Sequence, residues 1–130
     1  MSKKTFGEWV VWFEKRSGET FATRPGFNLE FNPNRGFMLW RNLVDVFEID
    51  QTATDDWEFW GRWVANKGKE LGCKRVITSV RREPESYARL TGGRIILKGI
   101  DDQGRDVALI EWNAVPMMLN NAERVKKGLV

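Results

Sequence analysis

The sequence predicts an α+β fold: a mixed, mostly antiparallel sheet with a parallel central strand pair and helices on both faces. Three observations lead to this fold class. Short runs in which apolar and polar residues alternate, as in half-buried strands, lie on both sides of the centre of the chain. A long amphipathic stretch over 57–71 separates two such strands, and a helix that crosses between strands joins a parallel pair. The other strands follow each other closely, which favours antiparallel pairing.

The first element is an amphipathic helix over 5–16. Thr5 and Glu8 have the spacing of a capping box at its start, and Gly18 ends it. One face of this helix is apolar and consists of Phe6, Trp9, Val10 and Phe13. We expect this face to pack on the sheet.

Three strands are expected next, at 27–31, 37–40 and 43–49. Turn signals precede the first strand at Pro25-Gly26 and follow it at 32–36. Arg41-Asn42 is the expected tight connection between the second and third strands. The three strands should therefore pair antiparallel.

The central element is the helix over 57–71, which a strand over 73–80 follows. Thr54 is the expected N-cap, and Asp55 and Asp56 lie in the first turn, where the helix dipole favours negative charge. The apolar face of the helix contains small residues, namely Gly61, Ala65 and Gly68. They indicate close packing on a flat surface such as a sheet.

The last part of the described pattern is a short helix and a hairpin. Pro84 suits the first position of a helix that continues over 85–91. Strands over 94–100 and 106–112 should pair around a turn at 101–104. We interpret 1–130 as one domain, with 113–130 as a C-terminal tail.

The composition excludes several kinds of site. The 130 residues include one cysteine and no histidine, which excludes an internal disulfide, a His/Cys metal site and a Ser-His-Asp or Cys-His nucleophile. The formal net charge of +3 is mildly basic, but acidic residues interrupt the basic ones, so nucleic-acid binding is not expected. No apolar run approaches the roughly 20 residues of a membrane span, and the N-terminus lacks the apolar core of a signal peptide. A cytoplasmic location is therefore expected.

The segment KELGCKRVITSVRREPESYARLTGGRI, at 69–95, and the order of the elements resemble the GNAT (Gcn5-related N-acetyltransferase) superfamily. The Trp-rich N-terminal helix is most similar to small acetyltransferase-like proteins of tailed phages, which would place the chain in a host cytoplasm or a virion. The resemblance implies transfer of an acetyl group from acetyl-CoA to a primary amine. The alternative is a non-catalytic GNAT-fold phage accessory or virion protein that acts through protein contacts.

In the family, acetyl-CoA lies where two central strands separate, and a Gly-rich loop holds its pyrophosphate at the start of the central helix. The resemblance implies a binding site at the strand ends and the adjoining loops, namely Phe47, Ile49, Gln51, Thr52, Ala53, Thr54, Ser79, Arg81 and Arg82. The loop over 51–56 has no glycine, and Asp55 and Asp56 place negative charge at the phosphate position. For the two arginines, the alternative is a solvated turn paired with Glu83 or Glu85.

The family's general acid is a tyrosine late in the short helix. Tyr87 is the only tyrosine of this chain and lies one helical turn before the matching position, which Leu90 occupies. A packing role is the alternative for Tyr87. The general base would be a carboxylate near the end of the third strand, for which Glu48 and Asp50 are the candidates. We assign Glu48, with simple exposure to solvent on an alternating strand as the alternative.

Two features would separate an enzyme from a scaffold. An enzyme should have an open V-shaped gap between 47–49 and 78–80, lined by backbone N–H groups, whereas a scaffold should have this gap closed. Phe59 and Trp63 fall on the side of the central helix away from its apolar face, where the sheet is not expected to cover them. They are the expected contact with a partner protein or a second copy, and burial by 117–119 is the alternative.

Overall fold

The computed structural model describes residues 3–113, which form three helices and six strands. In chain order these are α1 (Phe6–Ser17), β1 (Asn28–Asn32), β2 (Gly36–Leu43), β3 (Val46–Ala53), α2 (Trp57–Glu70), β4 (Arg75–Val80), α3 (Pro84–Thr91), β5 (Arg94–Ile100) and β6 (Asp106–Asn113). Apart from Asn113, the expected tail lies outside the described residues. None of the helices within 3–113 is long and apolar enough to cross a membrane.

The six strands form one sheet in the order β1-β2-β3-β4-β6-β5. β3 and β4 are parallel, because α2 crosses between them, and every other neighbouring pair is antiparallel. Successive residues of a strand point to opposite faces. Phe37 packs with α1, and Met38 packs with α2 and α3 on the other face. The expected α+β fold, with helices on both faces, is therefore confirmed.

α1 begins with the expected capping box. The amide of Thr5 donates to Oε1 of Glu8 at 2.9 Å, and the amide of Glu8 donates to Oγ1 of Thr5 at 3.2 Å. The helix ends at Gly18, which has a φ of 75°. Trp9 and Phe13 are buried between the helix and the sheet. This packing holds the C-terminal end of α1 beside the ends of the central strands.

The N-cap of α2 is Asp56, not Thr54. Oδ1 of Asp56 accepts a hydrogen bond from the amide of Phe59 at 3.1 Å. Thr54 is buried, and its hydroxyl donates to the carbonyl oxygen of Arg35 at 2.6 Å while it accepts the amide of Asp56 at 2.9 Å. The expectation for Thr54 was wrong because its hydroxyl bonds to the turn between β1 and β2, a distant contact that local sequence does not reveal.

The turn between β2 and β3 also differs from the expectation. β2 continues through Arg41-Asn42 as a strand, and the turn consists of Val44 and Asp45. The φ of Val44 is 50°, which is costly for a β-branched residue. The carbonyl oxygen of Asp45 accepts the amide of Lys74 at 2.7 Å. This contact with the start of β4 fixes the turn, and sequence patterns do not report it.

β3 contains a β-bulge. Asp50 and Gln51 together face Leu39 of β2, because β3 has one residue more than β2 in the paired stretch. Phe47 packs on the α2 side of the sheet and Ala53 on the α1 side. Without the bulge, these two residues would share one face, because six positions separate them. The bulge therefore changes the direction of every side chain at the end of β3.

Phe59 and Trp63 are half-buried against the chain's own core. The centroid of the Trp63 ring lies 5.8 Å from that of Trp40 and 6.2 Å from that of Phe47, both edge-on. Phe59 packs edge-on against Trp60 at 5.2 Å. The expectation that the sheet leaves them uncovered was wrong, because the large ring of Trp40 extends the core from β2. A contact between Phe59 and Trp63 and a partner protein stays a prediction, and exposure of the two side chains does not support it.

Candidate functional site

β3 and β4 separate at their C-terminal ends. Their last register pair is Ile49 and Thr78, although β3 continues to Ala53 and β4 to Val80. Beyond this pair, β3 is joined to β2 and β4 to β6, so a gap opens inside the sheet. The expected V-shaped gap is present, but it opens further along β3, because Phe47 and Ile49 are still paired with β4.

A cleft of about 710 Å³ occupies the gap. Its walls are the C-terminal end of α1, the ends of β3 and β4, the start of α2, and the loop and helix that follow β4. This volume is typical of small-molecule sites, which range from roughly 300 to 1,000 Å³. The strand and loop residues assigned from the sequence that line it are Gln51, Thr52, Thr54 and Ser79, and Arg81, Arg82 and Tyr87 line it as well.

Three residues assigned to cofactor binding do not line the cleft. Phe47 and Ile49 are buried in the core between the sheet and α2, and Ala53 is buried in the core beneath α1. Their side chains pack in the core next to the strands that form the cleft. The assignment failed for them because β3 remains paired as far as Ile49 and because the bulge turns Ala53 to the other face.

Glu48 also lies outside the cleft. Its Oε1 accepts a hydrogen bond from Nε of Arg41 at 2.8 Å, and Nη2 of Arg41 lies at the same distance. Arg41 is its register partner in β2. The structure therefore does not bring the carboxylate of Glu48 to the site.

Asp50 is the carboxylate of β3 that lines the cleft. It lies in the bulge, directly after the last pair of β3 and β4. Oδ2 of Asp50 lies 3.5 Å from Nη1 of Arg24. At this separation the ion pair is loose, so the carboxylate oxygens can accept further hydrogen bonds.

Tyr87 lines the cleft from α3. Its ring packs edge-on against Trp57, with the centroids 5.3 Å apart. Burial raises the pKa of Tyr87 above its ordinary value, so the hydroxyl remains protonated at neutral pH. Within residues 3–113, this hydroxyl has no hydrogen-bond partner. Tyr87 thus brings to the wall of the cleft a protonated hydroxyl without a partner among the described residues.

Gln51 lines the cleft but uses its side chain for structure. Its Nε2 donates to the carbonyl oxygen of Thr20 at 2.9 Å, and its Oε1 accepts the amide of Ala22 at 3.0 Å. These two bonds attach the segment after α1 to the end of β3. Because the bulge turns Gln51 toward α1, the amide group is not available to a phosphate on the α2 side.

Arg81 is held by carboxylates on two sides. Nε of Arg81 donates to Oδ2 of Asp101 at 2.9 Å, and Nη1 lies 3.5 Å from Oε1 of Glu19. The hydrogen bond to Asp101 raises the pKa of Arg81, and the same bond lowers the pKa of Asp101 below its ordinary range. Arg81 therefore forms a fixed wall of the cleft.

The start of α2 is the position at which the family resemblance implies a pyrophosphate. The carboxylate of Asp56 caps this helix and pairs with the guanidinium of Arg35, which offsets its charge. The amides of Trp57 and Glu58 have no acceptor within the described part of the chain. Asp55 is exposed beside them. The site therefore fits acetyl-CoA in two respects: an open gap can take the acyl end, and two free amides can bind a phosphate. A Gly-rich loop would offer more amides than these two.

No pattern in the sequence indicates that α1 and the residues after it contribute to the cleft. Trp12, Arg16 and Glu19 line it, although they lie more than 30 positions before β3's end and its bulge. Trp12 was recognisable only as a residue beside the apolar stripe of a helix. Its role in the wall depends on how α1 crosses the sheet.

No family model matches this sequence, and a search of curated proteins finds no significant match. Solved structures do share the fold. The ribosomal-protein-S18-alanine N-acetyltransferase of Escherichia coli has a TM-score of 0.56 and 11% identity, covering 88% of this chain and 92% of that one. Ard1 of Thermoplasma volcanium has a TM-score of 0.58 and 12% identity, with coverages of 86% and 95%.

A Lactobacillus plantarum protein with a provisional N-acetyltransferase assignment has a TM-score of 0.65 and 11% identity, with coverages of 85% and 88%. At these identities, the likeness concerns the fold alone. It confirms that this chain has the fold of the GNAT acetyltransferases, with one parallel strand pair at the centre of the sheet.

Proposed function

We propose that this chain transfers an acetyl group from acetyl-CoA to a primary amine within the cleft. The observation that carries the proposal is the separation of β3 and β4 beyond Ile49 and Thr78. It leaves one edge of each strand unpaired beside a cleft that a protonated hydroxyl, Tyr87, and a carboxylate, Asp50, both line.

The unpaired strand edges are the proposed binding site of the donor. Backbone N–H and C=O groups at 50–52 and 79–80 can hydrogen-bond an extended chain as an added strand would. The amides of Trp57 and Glu58 can donate hydrogen bonds to one phosphate oxygen at the start of α2. When bound there, acetyl-CoA supplies an acyl group that is activated as a thioester.

Tyr87 and Asp50 are the proposed proton-transfer groups. Tyr87 lines the cleft beside Trp57, and its Oη carries a proton at neutral pH that it can donate to a leaving sulfur. The oxygens of Asp50 can take a proton from the substrate ammonium, directly or through one water, which leaves a neutral amine to attack the thioester carbon. Asp50 replaces Glu48 in this role because Glu48 lies outside the cleft, bonded to Arg41.

Calorimetry with acetyl-CoA, with coenzyme A alongside, tests the proposal. We expect a dissociation constant in the micromolar range, which corresponds to about −8 kcal/mol. A panel of primary amines then follows, with release of the free thiol as the readout. Absence of binding at millimolar acetyl-CoA would contradict the proposal.

One observation favours the second candidate, a non-catalytic GNAT-fold accessory or virion protein of a phage. The carboxylate of Asp56 caps α2 through the amide of Phe59 and pairs with Arg35, and no glycine loop surrounds this end of the helix. Such a protein would act through protein contacts in a host cytoplasm or a virion, with the side of α2 that carries Phe59 and Trp63 as one surface. It would bind neither acetyl-CoA nor coenzyme A in the calorimetric test.

A further inference from the structure

Two arginines of the cleft, Arg16 and Arg82, have no acidic partner within residues 3–113. Most arginines within residues 3–113 pair with a carboxylate of that range. The exceptions in this part of the chain are Arg16, Arg82 and Arg89. Arg16 and Arg82 both line the cleft, and Arg89 does not. Two of the three arginines without a carboxylate partner in residues 3–113 thus lie at the cleft.

Both cleft arginines are oriented by other groups. Nη1 of Arg82 donates to the carbonyl oxygen of Arg16 at 2.8 Å, which joins the loop after β4 to the C-terminal end of α1. The guanidinium carbon of Arg16 lies 5.1 Å from the centroid of the Trp12 ring. A guanidinium has five N–H donors, so the single bond of Arg82 leaves its others for a ligand. The two guanidinium groups are therefore held in place and still have N–H donors free for a ligand.

Acidic residues of the cleft do not cancel this charge. Glu19 lies 3.5 Å from Arg81, and Asp50 lies 3.5 Å from Arg24, so each already has a cation beside it. Glu83 lines the same rim and is exposed without a described partner. Two arginines against this one glutamate leave the rim positive.

The arginine pair lies away from the features that fit the donor. Trp12 and Arg16 belong to α1, on one face of the sheet, whereas Trp57 and Tyr87 belong to the helices on the other face. The free amides suited to a phosphate of the donor are at the start of α2. The α1 end of the cleft is consequently the end that remains for the second substrate.

We propose that the acceptor is an amine that carries an anionic group, a carboxylate or a phosphate, bound by Arg16 and Arg82. The inference rests on the proposed acetyl transfer and specifies its second substrate. Guanidinium groups bind both anions through paired N–H donors. Trp12 adds an aromatic face against which the acceptor can pack. A small molecule suits the cleft volume of about 710 Å³.

NMR titration of the full ¹⁵N-labelled chain tests the inference with three amines: O-phosphoethanolamine, β-alanine and ethanolamine. The first two differ from ethanolamine by carrying an anion, and they separate phosphate from carboxylate recognition. We expect at least one anionic amine to bind about tenfold more tightly than ethanolamine, as one or two charge-assisted hydrogen bonds imply. Equal affinities, or anionic amines that all bind more weakly than about 10 mM, would overturn the inference.

Three variants locate the effect. Arg16→Gln and Arg82→Gln should each lower the affinity for the anionic amine about tenfold. Arg16→Gln keeps the backbone carbonyl that Arg82 contacts, so it removes one guanidinium without breaking the link between α1 and the loop. Arg89→Gln is the matched control, an exposed arginine outside the cleft, and should change nothing. Wild-type affinity in both cleft variants would contradict the assignment.

Acetyl-CoA, titrated into the same variants, separates this inference from the proposed function. Its affinity should be unchanged in Arg16→Gln and Arg82→Gln. A loss in either variant would assign the arginines to the donor's phosphates and overturn the inference. A third outcome is that neither the wild type nor any variant binds acetyl-CoA, while binding of the anionic amine still requires both arginines. This outcome would contradict the proposed acetyl transfer and support the anion-binding site.

Discussion

The hydroxyl of Thr78 donates a hydrogen bond to the carbonyl oxygen of Ile49, 3.1 Å away, at the last register pair that joins β3 to β4. Thr78 is buried, and the sheet opens directly beyond it. The bond therefore closes the paired part of the sheet at the base of the cleft. This hydrogen bond thus stabilises the core and lies at the boundary of the candidate site.

Thr78→Val should destabilise the fold. Valine has nearly the same shape, but it leaves the carbonyl of Ile49 with one hydrogen bond fewer in a buried place, which costs about 1–3 kcal/mol. Urea unfolding measures the change. Thr23→Val is the control, because Thr23 is exposed and makes no described side-chain bond. Equal stabilities of the two variants would contradict the role given to Thr78.

Tyr87→Phe should lower the rate of acetyl transfer by about 10²-fold or more, because general acid catalysis contributes roughly 10²–10⁴-fold. The binding of acetyl-CoA should stay within a factor of two or so, since the ring contact with Trp57 remains. Burial raises the pKa of Tyr87, so the wild-type rate should not fall through loss of this proton below about pH 10. A full rate in the phenylalanine variant would remove Tyr87 from the mechanism.

Asp55→Asn should strengthen acetyl-CoA binding. Asp55 is exposed at the start of α2, and a like charge within a few ångströms of a phosphate opposes binding by about 1 kcal/mol, or about fivefold in affinity. Glu70→Gln is the matched control, since Glu70 ends the same helix, about 20 Å away. Calorimetry at low and high salt provides the measurement. An unchanged affinity would mean that the phosphates of the donor do not approach α2.

The pair of Asp101 and Arg81 should make stability depend on pH. The hydrogen bond from Arg81 lowers the folded-state pKa of Asp101 below its unfolded value of about 3.9. The pair therefore stabilises the fold above that pH, and this stabilisation is lost as the pH falls through the folded-state pKa.

Asp101→Asn should lower the free energy of unfolding at pH 7 and flatten its decrease below about pH 4. Asp102→Asn, the neighbouring change without a described ion pair, should do neither. Chemical unfolding across the acidic range is the measurement. Identical pH profiles of the wild type and Asp101→Asn would show that the pair does not stabilise the fold.

The sequence was sufficient for the features that depend on local patterns. The capping box of Thr5 and Glu8 and the helix that crosses between β3 and β4 follow from residue spacing, and both are present. The family resemblance, not spacing, directed attention to Tyr87, and this residue lines the cleft. These predictions hold because helix periodicity and capping involve residues within about one turn of each other.

Features that depend on distant contacts were not predictable. Asp50 lies in the bulge and lines the cleft, whereas Glu48 pairs with Arg41, and nothing in the alternation of β3 marks the extra residue. Val44 adopts a positive φ because the turn it forms is held by the start of β4. The arginine pair, likewise, combines residues 66 positions apart.

The central claim is that the donor binds between the separated ends of β3 and β4, and an amide NMR titration with acetyl-CoA tests it most directly. We predict that the largest shift changes fall on the amides at 50–52 and 79–80, with smaller changes at Trp57 and Glu58. Coenzyme A should perturb the same set except for amides nearest the acyl group. Shift changes confined to other surfaces, or none at millimolar acetyl-CoA, would contradict the claim.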